Sequence, residues 1–411
     1  MKTLIVTQYF WPESFRINDL AVGLKGKGHQ VTVLTGIPNY PDGHFFQGYG
    51  FFKNVRQDYH GVKVMRLPLV PRGKGGGFRL ALNYLSFAFF ASLLAPFFCR
   101  GKFDLIFIYE PSPITVCLPA LLLKKLKSAP VMFWMQDLWP ESLSATGAVR
   151  SKKILKIVDI LVRFIYRGCD LILVQSRAFF EPIKRQGGDP DRVLYFPNSA
   201  EELYQPVILE EDAPERAVMP KGFCVTFAGN IGAAQDFETI LNAAEILKDH
   251  TEINWVIIGD GRMFPWVQSQ VIEQNLMQTV HLLGRYPVEA MPRFFALSDA
   301  LLATLRKEPI FELTIPSKIQ SYLACGKPII AALDGEGARV IEEAGAGLTC
   351  PAENPEALAK TVLNLYNMPQ LDRQGMGAHG RTYFNSHFEH KILLDRLEIW
   401  MEELKKQEYN T

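Results

Sequence analysis

Strand-length apolar runs alternate with helical stretches in two successive series along this 411-residue chain, and no other feature restricts the fold as much. In the first series TLIVTQYF, a helix ending at Gly26-Lys27-Gly28-His29, and VTVLTG make a βαβ unit. DLIFIYE, PVMFWMQD, LILVQS and VLYFP follow, separated by helical stretches at 119–126 and 152–166. Such strands are apolar throughout rather than at alternate positions, as expected of a parallel sheet covered on both faces. A second series runs through FCVTFAGNIG, INWVIIGDG, TVHLLGR, ALLATL, KPIIAAL and GLTC. Between them the pattern fails in a Glu- and Pro-rich stretch at 199–221, and after them 391–406 has a helical period with no strand following. The expectation is an α/β chain of two doubly wound, Rossmann-like domains, at 1–200 and 222–385, with a linker at 201–221 and a terminal helix at 386–411.

Composition narrows the function. A hydrophobic content of 48% supplies two cores, and a formal net charge of +1 argues against a protein that coats nucleic acid. Cys99, Cys117, Cys169, Cys224, Cys325 and Cys350 are scattered without metal-ligand spacing, which reads as reduced core residues in a cytosolic protein. The apolar run near the amino terminus is of strand length, too short for a secretion signal. One segment raises a membrane question: 80–98, LALNYLSFAFFASLLAPFF, lies between Arg72, Lys74, Arg79 and Arg100, Lys102. Its length is near the spanning threshold, its polar residues make it a poor spanning helix, and its aromatic content and basic flanks suit a helix dipping into one leaflet. Leaflet contact, a buried helix and a true span are the three readings.

Open parallel sheets bind ligands at the carboxyl ends of their strands, and the chemistry-bearing residues lie where that rule places them. TIPSKIQSYLACGKP puts a proline, Ser317 as the expected cap and Lys318 at a helix start, where free N–H groups and a full charge suit a diphosphate. Gly229, Asn230 and Gly232 form a strand-to-helix turn permitting close approach of a phosphate, or an ordinary glycine-rich turn. Gly259, Arg262 and Arg285 follow later strands. Asp137 closes the strand of WMQDLWPES with Trp139 available for stacking; its carboxylate either receives a proton or holds an acceptor hydroxyl, unless it merely caps the next helix. Glu13 and Arg16 occupy the loop after the first strand, where Arg16 either anchors an anionic diphosphate or is simply solvated. Asp189-Pro190-Asp191 is rejected as a metal site because it precedes a strand rather than following one. No oxygen-rich metal cluster remains, so no metal or other cofactor is expected, and leaving-group charge would fall to helix starts and cations.

With QYFWPES, GHQVTVLT, FPN at 196–198, AGNIG, IGDG, HLLGR, LSDALLA and PSKIQSYLACGKPII together, the chain resembles the retaining family 4 glycosyltransferases of the GT-B fold over essentially its whole length. Among these it is most similar to the WbuB-type enzymes, assigned as N-acetylfucosamine transferases of surface polysaccharide and O-antigen assembly. The resemblance implies a nucleotide-sugar donor in the second domain, an acceptor in the first, an interdomain cleft, and a last helix that crosses back to the first domain. Glu13, Arg16 and Trp139 then fall to the acceptor and Asp137, Lys318 and Glu312 to catalysis. Donor contacts fall to Gly229, Asn230, Gly232, Gly259, Arg262, Arg285, Ser317, Lys318 and Ser321. The family's pair of glutamates is displaced: Ser321 and Leu313 stand in their register, and Glu312 and Gln320 are each one place early. The family's basic pair is likewise replaced near Gln235 and Asp236. The reading that follows is a peripheral transferase on the cytosolic face of a membrane. It would move an N-acetylated deoxyhexose from a UDP-sugar to a polyprenyl-diphosphate-linked saccharide. A non-hydrolysing UDP-N-acetylhexosamine epimerase and a non-catalytic sugar-nucleotide sensor are the alternatives.

Overall fold

The computed structural model describes residues 1–73, 77–145, 149 and 151–409, so Lys74 of the basic flank lies outside the described residues. The chain divides into two compact units, Met1–Pro197 with Leu393–Thr411, and Asn198–Ile392. The stretch read as a linker belongs to the second unit. It contains the short helix Pro214–Val218, held by a two-pronged ion pair from Arg293 to Glu215.

The first unit is built on eight strands: β1 Lys2–Val6, β2 Gln30–Gly36, β3 Arg56–Tyr59, β4 Val62–Leu67, β5 Leu105–Glu110, β6 Val131–Met135, β7 Leu171–Val174 and β8 Val193–Tyr195. Their order is β3-β4-β2-β1-β5-β6-β7-β8, parallel except for β3, which runs antiparallel to β4 at the edge. That edge hairpin escapes the sequence reading because it is short and carries charge at alternate positions. It turns through His60 and Gly61, both at positive φ, where glycine adopts the left-handed conformation without a Cβ penalty.

One face of this sheet is closed by the Arg16–Gly26 helix and the His390–Tyr409 helix. Leu393, Leu394, Leu397, Met401 and Leu404 join Ile5, Val33, Val64 and Phe107 in one buried cluster. Lys27 and His29 bond Glu398, and Lys405 bonds Asp104, fixing the register of the terminal helix on this unit. The opposite face carries the helices Gly77–Phe98, Cys117–Lys127 and Lys152–Gly168.

The Gly77–Phe98 helix is inverted in its polarity. Asn83 is fully buried: its amide donates to the Val70 carbonyl at 2.6 Å, and its oxygen accepts from Gln8 at 2.7 Å. Ser86 accepts from the Val70 N–H at 2.9 Å. The residues facing solvent are instead large and apolar: Phe78 (85%), Leu85 (58%), Phe89 (63%), Leu93 (55%) and Phe97 (66%). Their spacing, mostly of three or four residues, makes a single outward stripe. The polar residues therefore secure the helix to its own sheet, and the apolar ones are left for something else.

The second unit has six parallel strands: β9 Phe223–Ala228, β10 Ile253–Ile258, β11 Val280–Gly284, β12 Ala300–Thr304, β13 Ile329–Ala332 and β14 Gly347–Cys350, in the order β11-β10-β9-β12-β13-β14. Because the chain order reverses at β9, the loops after β9 and β12 diverge to opposite faces and open a crevice there. Two buried clusters, one on each face, close the unit.

Leu397 is completely buried against the first sheet. Leu397→Ala should destabilise that unit by about 2–5 kcal/mol, the usual range for such a cavity. A urea titration followed by tryptophan fluorescence checks this; an unchanged midpoint would mean that the terminal helix is dispensable.

Candidate functional site

The crevice at β9 is a cavity of about 900 Å³ within the second unit, lined by Gly229, Asn230, Gln235, Gly259, Asp260, Arg285, Tyr286, Ser317, Lys318 and Ser321, among others. Its floor is backbone. Gly229 N–H donates to the Ile258 carbonyl, Gly259 N–H to the Gly284 carbonyl and Ile231 N–H to the Asp260 carbonyl, each at 2.8–2.9 Å. The glycines are required by proximity as well as conformation. Gly259 has φ +143°, and a Cβ there would lie 1.9 Å from the Gly229 carbonyl oxygen. Backbone therefore reaches the cavity surface unscreened by side chains, as a bound phosphate requires.

The Ser317–Cys325 helix starts at this cavity. The helix begins at Ser317 itself, with Pro316 in the cap position and no side-chain cap bond, which corrects the expectation that Ser317 caps and Pro316 lies in the first turn. Proline there has no N–H to leave unsatisfied, and the uncapped N–H groups that follow are available to an anion. Gly326, at φ +65°, ends the helix in the left-handed conformation.

Lys318 is half-buried; its Nζ donates to Gln235 Oε1 at 2.7 Å and sits 3.7 Å from the centre of the Phe227 ring. Removal from water penalises the ammonium and brings its pKa down to about 7. Neighbouring carboxylates do not contribute, so a diphosphate would be its first strong counter-charge. Gln235, in the stretch where the family has its basic pair, thus positions Lys318. It is itself anchored where Thr304 Oγ1 donates to its carbonyl at 2.5 Å.

Ser321 lines the cavity and donates its hydroxyl to the Ser317 carbonyl at 3.3 Å, leaving its oxygen lone pairs as acceptors. Arg285 lines the cavity as well. Arg262, Gly232 and Glu312 do not: Arg262 is exposed, Gly232 turns beside the Asn230 side chain, and the Glu312 backbone packs against Gly335, where a Cβ would come within 2.0 Å of its carbonyl oxygen. Tyr204, Tyr286 and Tyr322 also line the cavity and escape the sequence reading. Tyr204 stacks on Phe295, and Tyr286 and Tyr322 pack edge-on against Phe294 and Phe295. Only the fold brings these scattered rings together.

In the first unit the expected acceptor residues separate. Glu13 is buried, its carboxylate accepting from the N–H groups of Asn39, Tyr40 and Phe10, and burial raises its pKa to about 7. It braces the loop after β1 rather than facing an open surface, a correction to its expected role. Arg16 begins a helix and is half-buried. Trp139 is buried and uses its indole N–H on Ser112 Oγ at 3.2 Å, so its ring is not free to stack on a ligand. Asp137 is half-buried and accepts from Ser112 Oγ at 2.5 Å; burial raises its pKa, with that bond opposing. Beneath it Glu110 is fully buried, bonded by the Ser112 N–H at 2.9 Å and held well above the usual carboxylate range, by burial first and by Asp137 second. Glu110 and Ser112 are members of this site that the sequence reading did not single out. Asp189 caps the short turn at Pro190–Arg192, its carboxylate accepting from the Asp191 N–H at 3.1 Å. Among the described residues no group of three or more His, Cys, Asp or Glu side chains is placed to hold a metal ion.

Comparison with known proteins gives the class. Residues 14–199 match the glycosyl transferase 4-like domain and residues 222–368 match the glycosyl transferases group 1 model. The probable glycosyltransferase WbjE of Pseudomonas aeruginosa is 30% identical over 64% of this chain and 65% of its own length, just under two thirds of that relative. The Escherichia coli protein WcaI, described as a colanic acid biosynthesis glycosyl transferase, is 24% identical over 79% of this chain and 82% of its own. The crystal structure of Anabaena HepE in complex with UDP superposes with a TM-score of 0.71 at 13% identity, over 98% of this chain and 100% of that one, and establishes the fold as GT-B. Each unit thus carries a match to a glycosyltransferase family model, the 4-like domain on the first and the group 1 domain on the second.

Two outcomes follow from this geometry. Gly259→Ala should abolish UDP binding measured by calorimetry, since its Cβ overlaps the Gly229 carbonyl; binding at wild-type affinity would show that the glycine floor is not a phosphate cradle. A diphosphate should also restore the charge on Lys318. UDP binding above pH about 7 should then take up a proton, and affinity should fall as pH rises through that value while remaining level just below it. Calorimetry in buffers of different ionisation enthalpy reads this directly, and Lys318→Met should remove it.

Proposed function

We propose that this chain is a retaining, metal-independent glycosyltransferase that moves a sugar from a UDP-sugar to a polyprenyl-diphosphate-linked saccharide at the surface of a membrane. The observation that carries the donor half is Lys318 at an uncapped helix start, facing a backbone-lined cavity. Such a site receives the charge that develops on a departing diphosphate, and stabilising developing charge is commonly what lowers a transfer barrier most. UDP is favoured as the nucleotide because HepE, of the same fold, binds it. The names of WbjE and WcaI support surface polysaccharide assembly, and an N-acetylated deoxyhexose such as N-acetylfucosamine is the proposed sugar.

In the reaction the bond from the anomeric carbon to the diphosphate oxygen breaks and a bond from the same carbon to an acceptor hydroxyl oxygen forms. The hydroxyl proton leaves with the diphosphate or passes to a base. Lys318 and the helix N–H groups hold the departing charge. Ser317, Ser321, Gly229, Asn230, Gly259 and Arg285 hold the nucleotide. Asp137, oriented by Ser112, is assigned to the acceptor hydroxyl. Retention of configuration, with donor and acceptor oxygens on one face of the sugar, follows the family resemblance.

The acceptor half rests on the Gly77–Phe98 helix. It is long and apolar enough to cross a membrane by length and composition, but its inner face is committed to the sheet through Asn83 and Ser86. An outward apolar stripe with basic residues near both ends suits a helix lying in one leaflet. The Lys152–Gly168 helix adds exposed Ile154, Ile157, Ile160 and Phe164 beside Lys152, Lys153 and Lys156. The proposed location is therefore the cytosolic face of a membrane, held peripherally.

The decisive experiment incubates the protein with labelled UDP-sugars and a membrane lipid extract, with and without chelator. Label should pass to the lipid fraction in both, and Lys318→Ala should lower transfer by roughly a hundredfold, the scale seen when one charge-stabilising donor is lost. Label that stays in a rearranged soluble nucleotide sugar would indicate an epimerase. Binding without turnover would leave a sensor, and loss with chelator would end the metal-free reading.

A further inference from the structure

The first unit has a second concavity, remote from the ligand end of its sheet. It holds about 770 Å³ and is lined by Arg56, Asp58 and Lys63 of the β3–β4 hairpin and by Phe98 and Arg100 at the end of the apolar helix, with Gln57, Val64 and Met65 completing it. Three cations meet one carboxylate there, and that carboxylate already accepts the Gly61 N–H at 2.8 Å. None of the three cations has an ion-pair partner within 4 Å among the described residues. The Arg56 guanidinium lies 5.6 Å from the centre of the Phe98 ring, a cation–π contact that ties the hairpin to the end of the helix. Arg100 Nε donates to the Phe97 carbonyl, answering the negative end of the helix and leaving its remaining N–H groups free of that duty.

Position decides what this concavity is for. Val62 and Val64 are buried in the core on one face of the hairpin, so Lys63 and, across the strand pair, Asp58 and Arg56 project on the other face, the one the Gly77–Phe98 helix covers. That helix leaves β4 at its carboxyl end and returns to the start of β5, so its last turn lies at the amino end of the sheet, away from Asp137. The acceptor's own diphosphate is thus not the occupant. A helix lying in the plane of a leaflet keeps all its turns, the last included, at the headgroup boundary, near the level of the lipid phosphates.

We propose that the Arg56–Lys63–Arg100 concavity binds the phosphate of an anionic membrane lipid and fixes the orientation of the protein on the leaflet. This rests on the membrane reading above and adds the headgroup chemistry to it. The apolar stripe supplies depth, and the concavity supplies a charged contact at one end of it. A free phosphate ester has the same chemistry, so the test must separate the two sources.

The full chain is floated with phosphatidylcholine vesicles with and without phosphatidylglycerol. Wild type should bind both, more tightly where phosphatidylglycerol is present. The double variant Arg56→Gln/Lys63→Gln should lose roughly tenfold or more of the affinity for anionic vesicles, at about 1 kcal/mol per cation, and retain binding to neutral ones. Lys248→Gln, in the second unit, monitors general charge, and Lys184→Gln/Arg185→Gln monitors exposed cations elsewhere on the first. A loss with Lys184→Gln/Arg185→Gln as large as with the concavity variant, or no loss with the latter, overturns the proposal. So does full competition by soluble glycerol phosphate, which would assign the site to a free ester. If no vesicle binds wild type, the membrane reading itself fails; if neutral vesicles bind and anionic lipid adds nothing, only the concavity fails.

Discussion

Parallel pairing of buried strands is the constraint from which the rest follows. A parallel sheet must be crossed back over by helices, both its faces are covered, and its functional loops gather at one edge. In the second unit β9 pairs with β10 on one side and β12 on the other, so the loops leaving it part and make room for a ligand. Everything in the donor site uses that opening. The glycines after β9 and β10 let backbone line it, and the Ser317–Cys325 helix, which leads into β13, points its first N–H groups toward it.

Within that frame the departure from the family pattern acquires a physical account. Where the family has a basic pair, this chain has Gln235, which holds Lys318, and a serine stands in the register of one of the family's two glutamates. A lysine with a depressed pKa resting on an aromatic ring and an amide is poorly solvated until an anion arrives. Its charge is then opposed by no nearby carboxylate, and one such group does more in a water-poor site than it could on the surface.

The Gly77–Phe98 helix covers the first sheet under the same constraint. Covering a parallel sheet ordinarily takes apolar residues inward and polar ones outward. Here Asn83 and Ser86 face inward beside Phe87 because the loop backbone around Val70 and the Gln8 side chain offer them partners, and most of the large apolar residues are turned out. The Asn83 amide, with its oxygen and N–H groups bonded, holds the helix at little net cost, so its apolar face is free to serve contact with a lipid surface.

The sequence by itself determined the two-unit architecture, most strands, the helix at Ser317 and the glycine floor. These depend on local patterning: apolar runs of strand length, glycine where φ or proximity demands it, proline at a helix start. Only tertiary structure decided which candidates meet. Glu13 looked like a loop carboxylate open to ligand and is instead enclosed by three backbone N–H groups from two segments. Glu110 and Asp137 come from the ends of strands adjacent in the sheet but lie 27 residues apart in the chain. The direction of the Gly77–Phe98 stripe was likewise undecidable in sequence, because a helix that is apolar nearly all round does not reveal which side its partners lie on; long-range hydrogen bonds to Asn83 settle it.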